Sequence, residues 1–310
     1  MTTLINPTVT VFGGTGHYGR HITAALLDKG IPVSVLTRSE KKAKEVLGDK
    51  VKIVEGSVID LEKISQALMG SDAAIFCLSA MTWNQIRMME EIEIGGLKKV
   101  MEEMSRQHIS RLIFISVFDI RESFAEEHQG KALADTKSIS EKMIKNSGMN
   151  WTVFGCPPSY ELFFRLLRKN SVIVPGGGNK RIVSISPSDV GEIVSRAVLR
   201  QDLSGRRFRL TGPQPLSFPE FTRKISEITG RKVSLRAIPL PLVFVLTGLL
   251  SIINPLPLVL YRALVMMNHF PEEIADGAFR DLEIINNTFG YSPVPIEEEI
   301  RRRFHTGPPV

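Results

Sequence analysis

Val9-Thr-Val-Phe12, a β-branched and aromatic run, passes directly into Gly13-Gly-Thr-Gly16-His-Tyr-Gly19. A segment follows in which Ile22, Ala25, Leu26 and Leu27 recur at helical spacing. Nothing else in the chain narrows its fold so far. A short apolar run of this kind reads as a strand buried in a parallel sheet, and Gly14, Gly16 and Gly19 fit G-x-G-x-x-G between strand and helix. The early glycines permit a tight turn and the close approach of a pyrophosphate, and Gly19 lets the helix lie against the strand. Unpaired amides and the positive dipole end at the helix start complete an anion site. Glycine turns that bind nothing share this composition, but the flanking strand and helix favour a dinucleotide. Gly13, Gly14, Thr15, Gly16, His17, Tyr18 and Gly19 are its candidate contacts.

The alternation continues. Strands are expected at Val33–Thr37, Val51–Glu55, Ala73–Leu78, Leu112–Ser116 and Trp151–Phe154. Helices are expected between them at 40–47, 61–69, 84–107 and 136–146. This βαβ order predicts an α/β fold, a Rossmann doubly wound parallel sheet with helices on both faces. The pattern loosens after Pro157-Pro158 into short strands near 172–174, 182–185 and 208–210, with helices near 187–199 and 218–228. The expected organisation is a dinucleotide-binding domain over residues 1–156 and a smaller, discontinuous substrate lobe over 157–310. That lobe would close over the carboxyl edge of the sheet, where such sheets bind ligands.

Composition removes several function classes. The chain is 43% hydrophobic and 23% charged, ordinary for a globular protein. Its net charge of +6 comes from dispersed basic residues without interleaved aromatics, which argues against nucleic acid. Two cysteines, Cys77 and Cys156, lie in apolar strand ends and read as buried thiols of a reducing compartment. The six histidines form no ligand cluster, so no metal site is expected. The first residues lack the pattern of a signal peptide, and the expected location is cytoplasmic.

Residues 237–261 contain no charge. Pro239, Pro241, Pro255 and Pro257 cut the stretch too short to cross a bilayer and predict two helices hinged at Asn254, within an apolar helical region 237–268. Burial against the fold is one reading of this stretch. A peripheral membrane contact or a surface for a lipophilic substrate is the other.

About twenty residues beyond the glycine turn, the end of the second strand meets the adenosine ribose in such folds. An acid there favours NAD; this chain has Thr37-Arg38-Ser39 instead. A guanidinium at that point pairs bidentately with a 2′-phosphate, so NADP is the expected cofactor and NAD the less favoured one, with Arg38 and Ser39 as contacts.

The glycine turn, the basic end of the second strand, Ser116 at the end of the fifth, and Lys137-x-x-x-Glu141 leading to Ser147-Gly148 and Trp151-Thr-Val-Phe resemble an atypical short-chain dehydrogenase/reductase. The likeness is nearest to the NmrA-like and isoflavone-reductase-like group, and it extends through Pro187-Ser-Asp-Val-Gly191 to Asn287-Thr-Phe-Gly290. It implies that Lys137 anchors the nicotinamide ribose and supplies a proton, and that Ser116 hydrogen-bonds substrate or ribose. Leu78 and Ser79 would pass the middle of the cofactor, and Ser57 stands where an adenine-contacting Asp is common. Tyr160, Phe163 and Phe164 would wall an apolar pocket, although their spacing also suits a core-facing helix.

Besides Ser57, the chain departs from the pattern at two places. Leu133 occupies the position four residues before the lysine, where the short-chain enzymes carry their proton-donating Tyr. Gly155-Cys156 replaces a common Arg-Pro. The expected function is an NADP(H)-dependent reductase of a small lipophilic carbonyl or conjugated alkene. A non-catalytic redox sensor or assembly factor is the alternative, and epimerisation fits less well because it also uses the Tyr–Lys pair.

Overall fold

The structure, a computed structural model, describes residues 7–118 and 131–305. They divide into two compact units. Residues 7–118, 135–155 and 187–209 belong to the first, and 131–134, 156–186 and 210–305 to the second.

The first unit is built on a parallel seven-stranded sheet. Its strands are β1 (Val9–Phe12), β2 (Val33–Thr37), β3 (Lys52–Glu55), β4 (Ala73–Phe76), β5 (Arg111–Val117), β6 (Asn150–Cys156) and β9 (Arg206–Arg209), in the order β3-β2-β1-β4-β5-β6-β9. Every residue of β1, β2 and β4 is buried, because helices cover both faces of a parallel sheet. The helices are α1 (Gly19–Asp28), α2 (Glu40–Leu47), α3 (Leu61–Leu68), α4 (Gly96–Arg106), α5 (Lys131–Lys145) and α7 (Pro187–Ala197). Ser39 and Asp60 cap α2 and α3 by accepting from Lys42 N and Lys63 N. The order reverses between β1 and β4, so the turns after these strands flank the crevice where doubly wound sheets take their ligands.

Two details depart from the expected pattern. The helix expected over 84–107 is broken into a 3₁₀ turn at Ile86–Met88, a π turn at Glu91–Gly95 and then α4. Residues 187–209, expected in the smaller lobe, complete the first unit. Gly191 permits this on one side: a Cβ there would lie 2.4 Å from His21 O, so α7 rests directly on the backbone of α1. On the other side β9 pairs with β6, and Phe208 stacks on Phe154 at 5.7 Å.

Arg111 fastens this arrangement. Its side chain is fully buried, and it donates to Val198 O and Ala197 O at the carboxyl end of α7, both at 2.9 Å. It also donates to Thr152 Oγ1 at 2.9 Å and Asn150 Oδ1 at 3.2 Å in β6. Burial pulls its guanidinium down to about 10, and the neighbouring Asp202 charge opposes the fall.

The second unit contains α6 (Glu161–Arg165), β7 (Leu167–Arg168), β8 (Ser171–Pro175), α8 (Phe218–Thr229), β10 (Ser234–Ile238), α9 (Leu240–Ser251), α10 (Leu256–Asn268), α11 (Glu272–Phe289) and α12 (Ile296–His305). Its three-stranded sheet runs β10-β8-β7. The strand expected at 182–185 is reduced to single bridges, Ser159 with Ile185 and Ile182 with Leu216. The core gathers Phe163, Val172, Val174, Leu216, Phe218, Phe221 and Ile300. Ser217 and Glu220 close a reciprocal capping box at the start of α8. The hinge expected at Asn254 falls between α9 and α10, where Asn254 Oδ1 accepts from Leu256 N at 3.0 Å.

Replacing Arg111 with Lys leaves a single charged point that cannot reach both α7 and β6. Arg111→Lys is expected to cost about 2–4 kcal/mol in urea unfolding, since several buried carbonyls lose their donors. A change under about 0.5 kcal/mol, the range of ordinary surface substitutions, would show that the clamp is dispensable.

Candidate functional site: the carboxyl ends of the parallel strands

The turn after β1 is closed by a backbone hydrogen bond. Gly13 takes φ +93°, and Gly16 N donates to Gly13 O at 2.8 Å. A Cβ on Gly19 would fall 2.0 Å from Gly13 O, and one on Gly14 would fall 2.8 Å from a Val35 methyl. Glycine at these places is therefore a packing requirement as well as a means of approach for a ligand. The start of α1 has no side-chain cap and no acid in its first turn, unlike α2 and α3. A polar loop, a helix start without a side-chain cap and glycines without room for Cβ atoms fit a pyrophosphate. The His17 and Tyr18 rings lie 4.8 Å apart on the same turn, and Thr15 is half-buried beside them.

Arg38 is exposed at the end of β2, next to the glycine turn in the sheet, and its Nη2 donates to Gln85 Oε1 at 3.1 Å. Thr82 Oγ1 donates to the same Gln85 oxygen at 3.1 Å. Gln85, which sequence reasoning passed over, thus orients the guanidinium. Ser39 is the N-cap of α2, so its oxygen is engaged while its hydroxyl proton can still be donated. Glu55, opposite Thr37 in β3, accepts from Glu40 N at 3.2 Å. Ser57 leads into α3, its carbonyl accepting from Asp60 N at 3.0 Å.

Lys137 is buried and held on two sides. Its Nζ donates to Leu78 O at 3.0 Å, just past β4, and pairs with Glu93 Oε2 at 2.9 Å. The ammonium also lies 5.3 Å from the centroid of Phe114. Glu93 is 2% exposed and collects three donors: Ala80 N at 2.8 Å, Lys137 Nζ, and Thr136 Oγ1 at 3.4 Å. The π turn carries Glu93 to this position; a regular helix through 84–107 would have turned the chain differently. That turn has no sequence signature, which is why Glu93 went unnoticed.

Ser116 follows Phe114 by two residues in β5, so the two side chains face the same side of the sheet. Its buried hydroxyl has no partner among the described residues. An orphaned hydroxyl at the carboxyl end of a strand fits a ligand-binding role. Ser79 is exposed beyond Leu78. Cys77 donates its Sγ proton to Phe12 O at 3.2 Å, and desolvation pushes the thiol up to about 12 against the pull of Lys137, so it carries no thiolate chemistry near neutrality.

Gly155 has a structural account. A Cβ there would lie 2.7 Å from Val117 O and 2.9 Å from Arg207 Nη2. The space belongs to Arg207, which donates to Val117 O at 2.8 Å and pairs with the buried Glu141 at 3.1 Å.

Tyr160, Phe163 and Phe164 belong to the second unit and pack its core. The Tyr160 hydroxyl donates to Val294 O at 3.0 Å. Phe163 lies 4.7 Å from Phe218 and 5.2 Å from Phe221, and Phe164 stands edge-on to Phe221 under the Arg303 guanidinium. Core packing accounts for their spacing, the alternative that the sequence left open. Among the described residues no group of His, Cys, Asp and Glu is placed to hold a metal ion.

Two substitutions test this geometry. Gly19→Ala is expected to weaken dinucleotide binding by more than about ten-fold, because the added methyl displaces the turn. Lys137→Met should cost about 3–5 kcal/mol in thermal or urea unfolding by leaving Glu93 buried without its counter-charge. Adding Glu93→Gln should recover most of that loss; a double variant no more stable than Lys137→Met would refute the pairing.

The NAD(P)H-binding family matches residues 13–200, more than half of the chain. The chain is 24% identical over 234 residues to the 40 kDa subunit of mitochondrial NADH-ubiquinone oxidoreductase from Neurospora crassa, with 73% of this chain and 60% of that one covered. It therefore spans less than two thirds of that relative. It is 23% identical over 239 residues to the photosystem II assembly factor Ycf39 of Synechocystis, covering 75% of this chain and 71% of the relative. The NADPH-dependent quinone oxidoreductase QOR2 of Escherichia coli, solved with NADPH, shares the fold with a TM-score of 0.73 at 16% identity, covering 96% of this chain and 99% of that one. Sequence, fold and the glycine turn after β1 agree: the chain belongs to the NAD(P)H-binding family.

Proposed function

We propose that this protein is an NADP(H)-dependent reductase of a lipophilic carbonyl or conjugated alkene. The observation that carries this reading is the juxtaposition of Lys137, fixed by Leu78 O and Glu93, with the orphaned Ser116 hydroxyl on the same side of β5. NADPH, when bound here, would supply the hydride. The residues of the chain do the rest: the turn from Gly13 to Gly19 and the start of α1 hold the pyrophosphate, and Arg38 pairs with the 2′-phosphate. Ser116 donates its hydroxyl proton to a ribose or substrate oxygen. Lys137 delivers a proton, directly or through water, as negative charge develops on the substrate, and recovers it from solvent. Glu93 holds the ammonium beside the end of β4.

A second reading has its own support. Leu133 stands where the proton-donating Tyr is found in the short-chain enzymes, and the Lys137 ammonium already has two oxygen partners. One relative is a subunit of a larger enzyme and another an assembly factor. On this view the chain reads the cofactor without turning it over.

Fluorescence titration separates the cofactors: NADPH is expected to bind at least about ten-fold more tightly than NADH, and Arg38→Ala should abolish the preference by weakening NADPH alone. Tighter NADH binding by the wild type would remove the NADP assignment. Turnover is then measured with quinones, enals and ketones in the Glu93→Gln background with and without Lys137→Met. Activity that falls at least about a hundred-fold with cofactor affinity retained supports the proton donor. Absence of turnover with every acceptor, in protein that binds NADPH, favours the second reading.

A further inference from the structure

The charge-free residues 237–261 lie inside a longer run with no acid. Between Glu227 and Glu272 there is no Asp or Glu, while Arg231, Lys232, Arg236 and Arg262 all fall there. In the fold this run forms β10 and the helical pair α9 and α10. No residue of α9 is buried. Leu242, Val245, Leu246 and Leu249 stand exposed along one side of it, and Ile252 at its tip is 81% exposed. Phe244 points the other way, 5.4 Å from Tyr261 of α10, and is itself exposed. The far end of α10 is anchored: Asn268 Nδ2 donates to Pro175 O at 3.1 Å, and Gly178 N donates to Asn268 Oδ1 at 3.3 Å.

Three features choose the occupant of this surface. A helix that docks into a protein groove shows one apolar stripe and a polar back, whereas α9 is apolar on every side, as helices immersed in hydrocarbon are. Its two hydroxyl side chains bond the helix itself, Thr247 Oγ1 donating to Val243 O at 2.8 Å and Ser251 Oγ to Gly248 O at 2.6 Å, so neither calls for water. The flanking residues Arg231, Lys232 and Arg236 are exposed, and no carboxylate within the run opposes them. At about 18 Å for twelve residues α9 is well short of the roughly 30 Å hydrocarbon core, and no helix of the described residues is long and apolar enough to cross a membrane.

We propose that the α9–α10 hairpin inserts into one leaflet of an anionic lipid bilayer. The α9 side chains and Ile252 enter the acyl region, and Arg231, Lys232 and Arg236 meet headgroup phosphates. This anchoring resides wholly in the second unit and stands whether or not the chain is a reductase.

Flotation of the full chain tests it, using phosphatidylcholine vesicles with and without phosphatidylglycerol. The protein is expected to float with the anionic vesicles at least about ten-fold better than with neutral ones, with the advantage falling as salt rises. The double variant Leu246→Glu, Leu249→Glu should lose vesicle binding about a hundred-fold, while its unfolding temperature and NADPH affinity stay those of the wild type, because both side chains are exposed. The triple variant Arg231→Gln, Lys232→Gln, Arg236→Gln should bind both vesicle types alike. Wild-type protein that floats with neither, or a double variant that floats as well as wild type, overturns the proposal. So does self-association in sedimentation that the double variant abolishes without any vesicle binding, which would make a second copy the occupant.

Discussion

Everything in the first unit depends on one backbone approach: the start of α1 presses so closely on the turn after β1 that a single methyl on Gly19 would overlap the carbonyl of Gly13. The contact fixes where the helix begins, and therefore where its positive dipole end points. It also draws α1 close enough for α7 to rest on its outer side at Gly191, where again no side chain fits. Close packing of this kind leaves a rigid turn with no Asp, Glu, Lys or Arg in it, and Arg38 stands at its rim, at the end of β2.

The buried ion pair at Lys137 is a different kind of constraint. Taking two charges out of water costs several kcal/mol per ion before their attraction is counted, so an apolar pair would serve stability as well or better. Glu93 also satisfies the Ala80 amide and the Thr136 hydroxyl, making it a junction between the segment after β4 and α5. A lysine held on two sides has little freedom to wander. That suits a group required to present a proton in one direction, and equally a group whose purpose is to report what lies beside it.

Local pattern made much of this visible in advance. β1, β2 and α2 begin and end where their residues indicated, because each is punctuated by glycine, proline or a capping serine. The hinge at Asn254 was legible from four prolines and an amide. What escaped was set by partners distant in sequence. β9 is Arg-Arg-Phe-Arg, a strand only because β6 waits beside it, and nothing local assigns it to the main sheet. The π turn at Glu91–Gly95 looks like any amphipathic helix when read as letters. At the candidate site, the glycine turn and Arg38 were singled out by residue type and position and Ser116 and Lys137 by resemblance, but the partners of Arg38 and Lys137, Gln85 and Glu93, lie in a segment whose path periodicity could not give.

The sheet of the first unit closes only when β9 has been made, and the Arg111 guanidinium meets its carbonyls only after α7. During synthesis the nascent chain must therefore carry β6 as an open edge, with a cation waiting at its base, while the intervening residues of the second unit emerge. Neither unit is a contiguous piece of chain that a protease cut could release intact. The two are obliged to mature on the same timetable, and a truncation that appears to spare the nucleotide fold would expose its last full-length strand to pairing with a neighbour.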